Sequence, residues 1–158
     1  MVGEVAMSVR EAVHRDPVWR DRSNFIIATP IDPSDTDISS EQLWARKVDD
    51  KHFEVCCIPF FAYDLALGDV VEVDSSYMVQ RVSMPSGRYV FRVHFDESML
   101  RNCEETVERL TEMGALLERS SSSLLAVDAQ DAAHAHKVAD YLVERENLGR
   151  LIYETGQS

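Results

Sequence analysis

The sequence contains few of the residues on which nucleotide-binding loops, disulfide frameworks and membrane spans depend. Six glycines are scattered over 158 residues, so no Gly-x-Gly-x-x-Gly or Walker-type loop is present. The three cysteines include the adjacent pair Cys56-Cys57, which would point to opposite faces of a strand and cannot easily form a disulfide. The longest apolar stretches, such as residues 55–62, are far shorter than the ~20 residues of a membrane-spanning helix. With no signal-peptide pattern at the N-terminus, we predict a cytoplasmic protein without a membrane partner.

Basic residues are also scarce. Lys and Arg total 16 against 28 Asp and Glu, giving a net charge of −12. Residues 1–23 are balanced, so the acidic excess belongs to the body of the chain. This charge repels phosphate backbones, which excludes a typical nucleic-acid-binding surface, and it attracts basic proteins. The alternative is that an acidic surface only keeps the protein soluble.

The first half of the chain predicts short strands. We interpret residues 1–23 as an appendage with a short helix over residues 4–15, because Ala6, Val9 and Val13 share one helical face. Residues 24–87 predict a β-rich lobe, either a small barrel or a strongly bent antiparallel sheet. A hairpin joins the strand-like runs 41–48 and 52–58.

The second half, residues 88–158, predicts strands and helices in the order β-α-β-β-α-β. Helices are expected over residues 99–113, begun by Asp96 or Ser98, and over residues 129–147, begun by Asp128. This order is that of a ferredoxin-like layer, with two helices on an antiparallel sheet. The predicted fold class is therefore α+β, and residues 24–158 are expected to form one compact unit.

Several short motifs carry a resemblance to a known family. They are Leu43-Trp44-Ala45-Arg46, Ile58-Pro59-Phe60-Phe61-Ala62, Leu67-Gly68-Asp69-Val70-Val71, Ser86-Gly87, Leu125-Ala126-Val127-Asp128 and Gly149-Arg150-Leu151-Ile152-Tyr153-Glu154. With these motifs, residues 24–154 resemble the bacterial family known as domain of unknown function 4265. The resemblance implies a bacterial origin and brings no established activity, ligand or catalytic residue.

An aromatic corner followed by carboxylates is the candidate partner-binding surface. Its members combine large apolar area with negative charge: Phe60, Phe61, Tyr63, Asp64, Asp69, Glu72 and Asp74. The alternatives are that the aromatic residues plug one end of the β-rich lobe and that the carboxylates are solvated strand edges.

Patterns for catalysis and metal binding are absent or weak. His134 and His136 lie two apart on a predicted helix, so they point in different directions and make a poor metal site. Cys56-Cys57 lies in an apolar run, where cysteine usually packs as a small hydrophobic residue. Asp32, Asp35 and Asp37 lack the Gly and Glu of a calcium loop and favour turn roles. We therefore predict a protein with no catalytic residues, no metal and no cofactor.

Three functions remain as hypotheses. The first is a non-catalytic acidic protein-binding module, specifically an immunity protein that neutralises a basic bacterial toxin. The second is a small-molecule-sensing or regulatory domain, suggested by analogy with other ferredoxin-like layers. The third is an enzyme that uses His94, Asp96 and Glu97.

Overall fold

The computed structural model describes residues 10–32 and 37–157. Within these ranges the chain forms ten β-strands, two α-helices and two short 3-10 helices. The strands make two open sheets, so the predicted α+β class is confirmed. Neither α-helix of the described ranges has the length and apolarity that crossing a membrane requires.

The first sheet contains six strands from the N-terminal half. They are β1 (Arg10–Ala12), β2 (Phe25–Pro30), β3 (Ile38–Lys47), β4 (His52–Val55), β5 (Val70–Val73) and β6 (Val79–Met84). The order is β1-β3-β4-β5-β6, and β2 pairs with the other edge of β3. All pairs are antiparallel except β1 with β3, which is parallel.

The predicted hairpin between β3 and β4 is confirmed. Glu41, Leu43 and Ala45 are buried at alternate positions of β3, because side chains two apart share one face of a strand. In the connecting turn the Asp49 carboxylate accepts hydrogen bonds from the backbone N–H groups of Lys51 and His52, each 2.9 Å long. This Asx-type turn fixes the reversal of the chain.

The prediction of a small barrel was wrong, and the alternative of a bent sheet is the better description. Strand β2 makes a single bridge, between Ala28 and Met78, to the residue that precedes β6. One bridge does not make the continuous ladder that closure requires. The sheet is therefore curved but open.

The second sheet carries both helices. Its strands are β7 (Tyr89–His94), β8 (Leu116–Ser121), β9 (Leu124–Ala129) and β10 (Ile152–Thr155), in the spatial order β10-β7-β9-β8. All neighbours in this sheet are antiparallel. Helix α1 (Cys103–Glu112) connects β7 to β8, and α2 (Ala132–Asn147) connects β9 to β10.

The helix boundaries differ from the predicted ones. Asp96 does accept a hydrogen bond from the Met99 N–H, but the residues after it form a 3-10 helix (Glu97–Asn102), and α1 begins only at Cys103. Helix α2 begins after Asp131, whose carboxylate accepts from the His134 N–H at 2.8 Å. The predicted cap, Asp128, is instead a buried member of β9.

The second sheet is buried on both faces, and this arrangement joins the two halves of the molecule. One face packs on the helices through Phe91, Val93 and Val127. The other face packs Val90 and Ala126 against residues of the 58–67 loop, namely Ile58, Phe60, Ala66 and Leu67. All six residues of β9 are consequently buried.

The described part of residues 1–23 packs into the body of the fold. The predicted helix over residues 4–15 was wrong for residues 10–12, which form β1, and residues 4–9 lie outside the described residues. His14, just after β1, is 3% exposed. The Trp19 N–H donates to the Cys56 carbonyl at 3.1 Å. Residues 10–23 are therefore held by both sheets, unlike the appendage that the sequence suggested.

Candidate functional site

A buried ionised cluster lies between the two sheets. The imidazole of His14 contacts one carboxylate on each side: Nε2 is 2.6 Å from Glu41 Oε2, and Nδ1 is 2.7 Å from Glu118 Oε1. Both ring nitrogens face carboxylate oxygens, so the doubly protonated imidazolium, which donates from both, fits the site. Burial works against this cation, but the surrounding side chains of Cys57, Glu118 and Glu41 outweigh the effect of burial and raise the pKa of His14 to about 12.

The two carboxylates also fix the loop that follows β4. Glu41 accepts hydrogen bonds from the backbone N–H groups of Phe60, Phe61 and Ala62, at 2.6, 2.9 and 3.0 Å. Glu118 accepts from the Ile58 N–H at 2.7 Å. Burial acts to raise the pKa of Glu41, but His14 and these N–H donors hold it below its usual range. The conformation of residues 58–62 therefore depends on the cluster.

Arg92 lies beside this cluster with part of its hydrogen-bonding capacity unused. It projects from β7 and is 1% exposed. Its Nη2 donates to the carbonyl of Ala62, whereas Nε and Nη1 have no hydrogen-bond partner among the described residues. Burial lowers the pKa of Arg92, and the nearby carboxylates of Glu41 and Glu154 oppose that shift.

Two further groups surround the Arg92 guanidinium. The Tyr63 ring lies over it, with 4.8 Å between the guanidinium carbon and the ring centroid. Glu154 Oε1 is 3.7 Å from Nη1, which is an ion-pair distance and too long for a hydrogen bond. The Tyr63 hydroxyl donates to the Glu154 carboxylate at 3.0 Å. Tyr63 and Glu154 thus cover the guanidinium but leave its Nε and Nη1 without hydrogen bonds.

A cavity of about 210 Å³ has Arg92 in its lining. Its lining combines apolar and charged side chains from both halves of the chain: Ile31, Asp32, Phe60, Phe61, Tyr63, Arg92, His94 and Glu154. Apolar walls with a few converging polar groups are the usual composition of a small-molecule site. We define these eight residues as the Arg92 cavity.

The structure divides the predicted partner-binding residues among different places. The three aromatic residues line the Arg92 cavity. Of these, Phe60 is 2% exposed and packs in the core, as the plugging alternative expects, whereas Tyr63 is 46% exposed. Asp64 and Asp69 line a second cavity, of about 450 Å³. Glu72 and Asp74 line a third recess, together with Arg81.

The four carboxylates of the predicted surface make internal contacts to different degrees. Asp69 is buried and accepts from the N–H groups of Ala66 and Ser86, at 2.9 and 2.8 Å. Glu72 pairs with Arg81 at 2.9 Å. Asp74 is exposed and accepts from the N–H groups of a turn. Asp64 is exposed and adopts a left-handed backbone conformation, with φ of 60°.

The residues considered for catalysis are also dispersed. His94 lines the Arg92 cavity, but Asp96 caps a 3-10 helix and Glu97 is exposed. Cys56 and Cys57 are fully buried and free. His134 bonds to the Met113 carbonyl at 2.8 Å, and His136 is exposed.

Metal-binding groups are not assembled in the described ranges. No three His, Cys, Asp or Glu side chains there are placed to hold a metal ion. Of the three aspartates considered for a cation, Asp35 lies outside the described residues. Asp37 pairs with Arg10.

Sequence reasoning missed His14, Glu41, Arg92 and Glu118. One signal was available for Glu41, which occupies an inward position in the alternating pattern that continues with Leu43 and Ala45. A carboxylate at such a position needs a buried partner. His14 gave no comparable signal, because it lies in a short stretch of mixed charge.

Fold and site together define a small α+β protein whose two open sheets meet at a buried His–Glu cluster beside a cavity that contains an incompletely satisfied arginine. The chain belongs to the family described as Domain of unknown function (DUF4265), which it matches over residues 41–153. The resemblance noted in the sequence is therefore confirmed. The family description assigns no activity.

One solved structure shares the fold. It is the crystal structure of a hypothetical protein from Neisseria gonorrhoeae, similar with a TM-score of 0.68 and 19% sequence identity over 84% of this chain and 93% of that chain. At this identity the similarity concerns the fold alone. No curated protein matches the chain.

Proposed function

We propose that this protein is a non-catalytic, small-molecule-sensing module whose ligand occupies the Arg92 cavity. The observation that carries the proposal is the buried Arg92 guanidinium, with Nε and Nη1 unpaired in the described structure, at the wall of a cavity of about 210 Å³. Leaving buried donors unsatisfied costs about 1–3 kcal/mol per group, more for charged ones. A ligand that accepts from both would recover this free energy.

The fold supports a binding role at this position. We infer that residues 88–158 form a ferredoxin-like layer, since the strand order β10-β7-β9-β8 and the two crossing helices agree with that topology. The cavity lies where this layer meets the loop fixed by Glu41. A ligand there would contact β7 and β10 of the second sheet, the loop after β4 and the residues that follow β2, and would couple their relative positions, as a regulatory module requires.

A thermal-shift screen tests the proposal. A panel of amino acids, nucleotides and carboxylic acids is added to the full chain, and a ligand present at a hundred times its Kd stabilises by about 2.7 kcal/mol. That corresponds to a rise of roughly 5–10 °C in Tm for a chain of this size. The rise should vanish in Arg92→Met and persist in Arg81→Met, a control at an exposed arginine of the first sheet. Unchanged melting with every compound would refute the proposal.

A second candidate function is the capture of a basic protein, specifically a bacterial toxin that this chain would neutralise. The observation in its favour is the exposed surface of α1, which carries four glutamates: Glu104, Glu105, Glu108 and Glu112. Arg119, Arg145 and Arg109 pair with three of them, so the four carboxylates meet three cations. Complementary charge accelerates the capture of a basic partner. This surface differs from the aromatic and acidic one that the sequence suggested.

Co-expression tests this second candidate. Cells that produce a basic toxin encoded next to this gene should survive when the wild-type chain is present. Protection should weaken when Glu104 and Glu108 are changed to Lys and should persist in a Glu72→Lys variant. Failure of the wild-type chain to protect would refute this second candidate function.

Three buried free cysteines support the further proposal that the protein works in a reducing bacterial cytoplasm.

A further inference from the structure

We infer that the ligand of the Arg92 cavity is a free α-amino acid with an apolar side chain. This inference rests on the proposed small-molecule function and names its ligand class. It follows from three features of the cavity: the pairing of a cation with a carboxylate, the balance of charge, and the apolar walls.

The charged groups of the cavity form a pair that an α-amino acid complements. Arg92 Nη1 and Glu154 Oε1 are 3.7 Å apart, so they attract each other without a hydrogen bond between them. An α-amino acid carries its carboxylate and its ammonium group on one carbon, which places opposite charges at a similar short spacing. The ligand carboxylate would accept a charge-assisted hydrogen bond from Nη1, the nitrogen that lies beside Glu154. The ligand ammonium would donate to Glu154.

The charge balance argues against ligands that carry only one of these groups. Arg92 already faces the carboxylate of Glu154, whereas the charge of Glu41 is balanced by His14. A simple anion would therefore add to existing negative charge. A simple amine would leave the N–H groups of Arg92 unpaired and place a second cation beside them. A zwitterion satisfies both sides and adds no net charge.

The remaining walls set the nature of the side chain. Ile31, Phe60 and Phe61 provide apolar surface, and the volume is about 210 Å³. An apolar cavity of about 150 Å³ holds a molecule as large as benzene. The Arg92 cavity is thus large enough for an amino acid such as leucine, methionine or phenylalanine. It is too small for a nucleotide with its base, sugar and phosphates.

Tyr63 controls the approach to the guanidinium. Its ring covers the cation, and its hydroxyl holds Glu154 at 3.0 Å. Since Nε and Nη1 are enclosed, the Tyr63 side chain must move aside as the ligand carboxylate enters. This movement is feasible because the side chain lies at the surface, 46% exposed.

Isothermal titration of the full chain with L-leucine, L-methionine and L-phenylalanine tests the inference. For each amino acid that binds, the matched probes lack one charged group; for leucine these are 4-methylpentanoate and 3-methylbutylamine. We expect at least one amino acid to bind on the order of tenfold more tightly than either of its probes. A tenfold difference in Kd is the free energy that one hydrogen bond to a charged group typically contributes. Glu154→Gln should reduce this preference for the amino acid over the carboxylate, whereas Glu72→Gln, at an ion pair of the first sheet, should not.

The outcomes separate this inference from the function on which it rests. If the carboxylate probe binds as tightly as the amino acid, or if Glu154→Gln keeps the full preference, the amino-acid assignment is wrong and the cavity remains a binding site. The amino-acid assignment is also wrong, and the cavity is still a binding site, if no amino acid binds while another compound gives a shift in Tm that depends on Arg92. If no compound of the screen shifts Tm, both the inference and the proposed function fall. Equal unfolding midpoints of Glu154→Gln and wild type by circular dichroism exclude a folding defect as the cause.

Discussion

The rings of His14 and Phe60 lie nearly parallel, with centroids 4.0 Å apart and 12° between their planes. The same histidine bonds to Glu41, and Glu41 accepts the backbone N–H of Phe60. An imidazolium above an aromatic face is attracted by the negative potential of the ring. The first aromatic residue of the loop is therefore fixed twice, through its ring and through its backbone, by one buried cluster.

The stability of the protein should fall as the pH rises above neutrality. The pKa of His14 is raised from 6.5 to about 12 in the folded protein. Its stabilising contribution is therefore complete below pH 6.5 and is lost progressively as the pH rises toward 12, by up to about 1.4 kcal/mol per pH unit. Urea unfolding at pH 6.5, 7.5 and 8.5 measures this decline.

The chosen pH window isolates the histidine. The buried thiols contribute only above their ordinary pKa of 9.0, and Glu41, whose pKa is lowered, loses its contribution only in acid. A His14→Gln variant should show a much flatter dependence over the same range. A wild-type unfolding free energy that stays constant from pH 6.5 to 8.5 would contradict the ionised cluster.

Replacing Glu41 by Gln should be strongly destabilising. The change removes the charge that balances His14 and weakens the acceptor of three loop N–H groups. Breaking a buried ion pair in this way typically costs about 3–5 kcal/mol. Glu72→Gln is the matched control, since its pair with Arg81 is partly solvated and should contribute about 0–1 kcal/mol. Chemical unfolding of both variants measures the two losses of unfolding free energy. Similar losses in Glu41→Gln and Glu72→Gln would show that the buried cluster stabilises the protein no more than a surface ion pair does.

Two glycines with the same backbone angle should differ in their tolerance of alanine. Gly68 and Gly87 have φ of +83° and +84°, so each substitution carries the left-handed penalty of about 1–2 kcal/mol. A Cβ at Gly68 would also lie 3.1 Å from the Cβ of Ser86, whereas one at Gly87 meets nothing within 4 Å. Gly68→Ala should therefore lower the unfolding free energy more than Gly87→Ala, and equal losses would mean that Ser86 moves away without cost.

The cysteines should not react with thiol reagents until the protein unfolds. All three are buried and free, and burial raises the pKa of Cys56 to about 12. The reactive thiolate is therefore both rare and inaccessible. A colorimetric disulfide reagent at pH 7.5 should detect no thiol in the native protein and three in denaturant. A rapidly reacting native thiol would instead identify an exposed or activated cysteine.

The sequence predicted those elements whose pattern is local. Strand β3 and the hairpin after it follow from alternating burial and the Asp49 turn. The second half was predicted in the correct order, because its helices and strands each have a clear period. Even there, the start of α2 was misplaced by three residues. Both Asp128 and Asp131 can begin a helix, but Asp128 belongs to β9, where it lies opposite Val90 and Leu116 and its carboxylate binds Arg88, 40 residues earlier.

The parts that sequence could not predict depend on contacts between distant residues. The helical spacing near the N-terminus was misleading over residues 10–12, because β1 gains its hydrogen bonds from β3. His14 and Arg92 are each placed by partners from other elements. The aromatic residues of the Arg92 cavity were predicted as a binding surface, but the cation that gives the cavity its chemistry was not.

The contact between His14 and Glu118 spans 104 positions of the chain. During synthesis on the ribosome, which adds roughly 5–20 residues per second, His14 leaves the exit tunnel several seconds before Glu118 does. Its imidazole therefore cannot reach both carboxylates until β8 has been translated. The segment that follows the first described strand is therefore among the last to gain its full set of contacts.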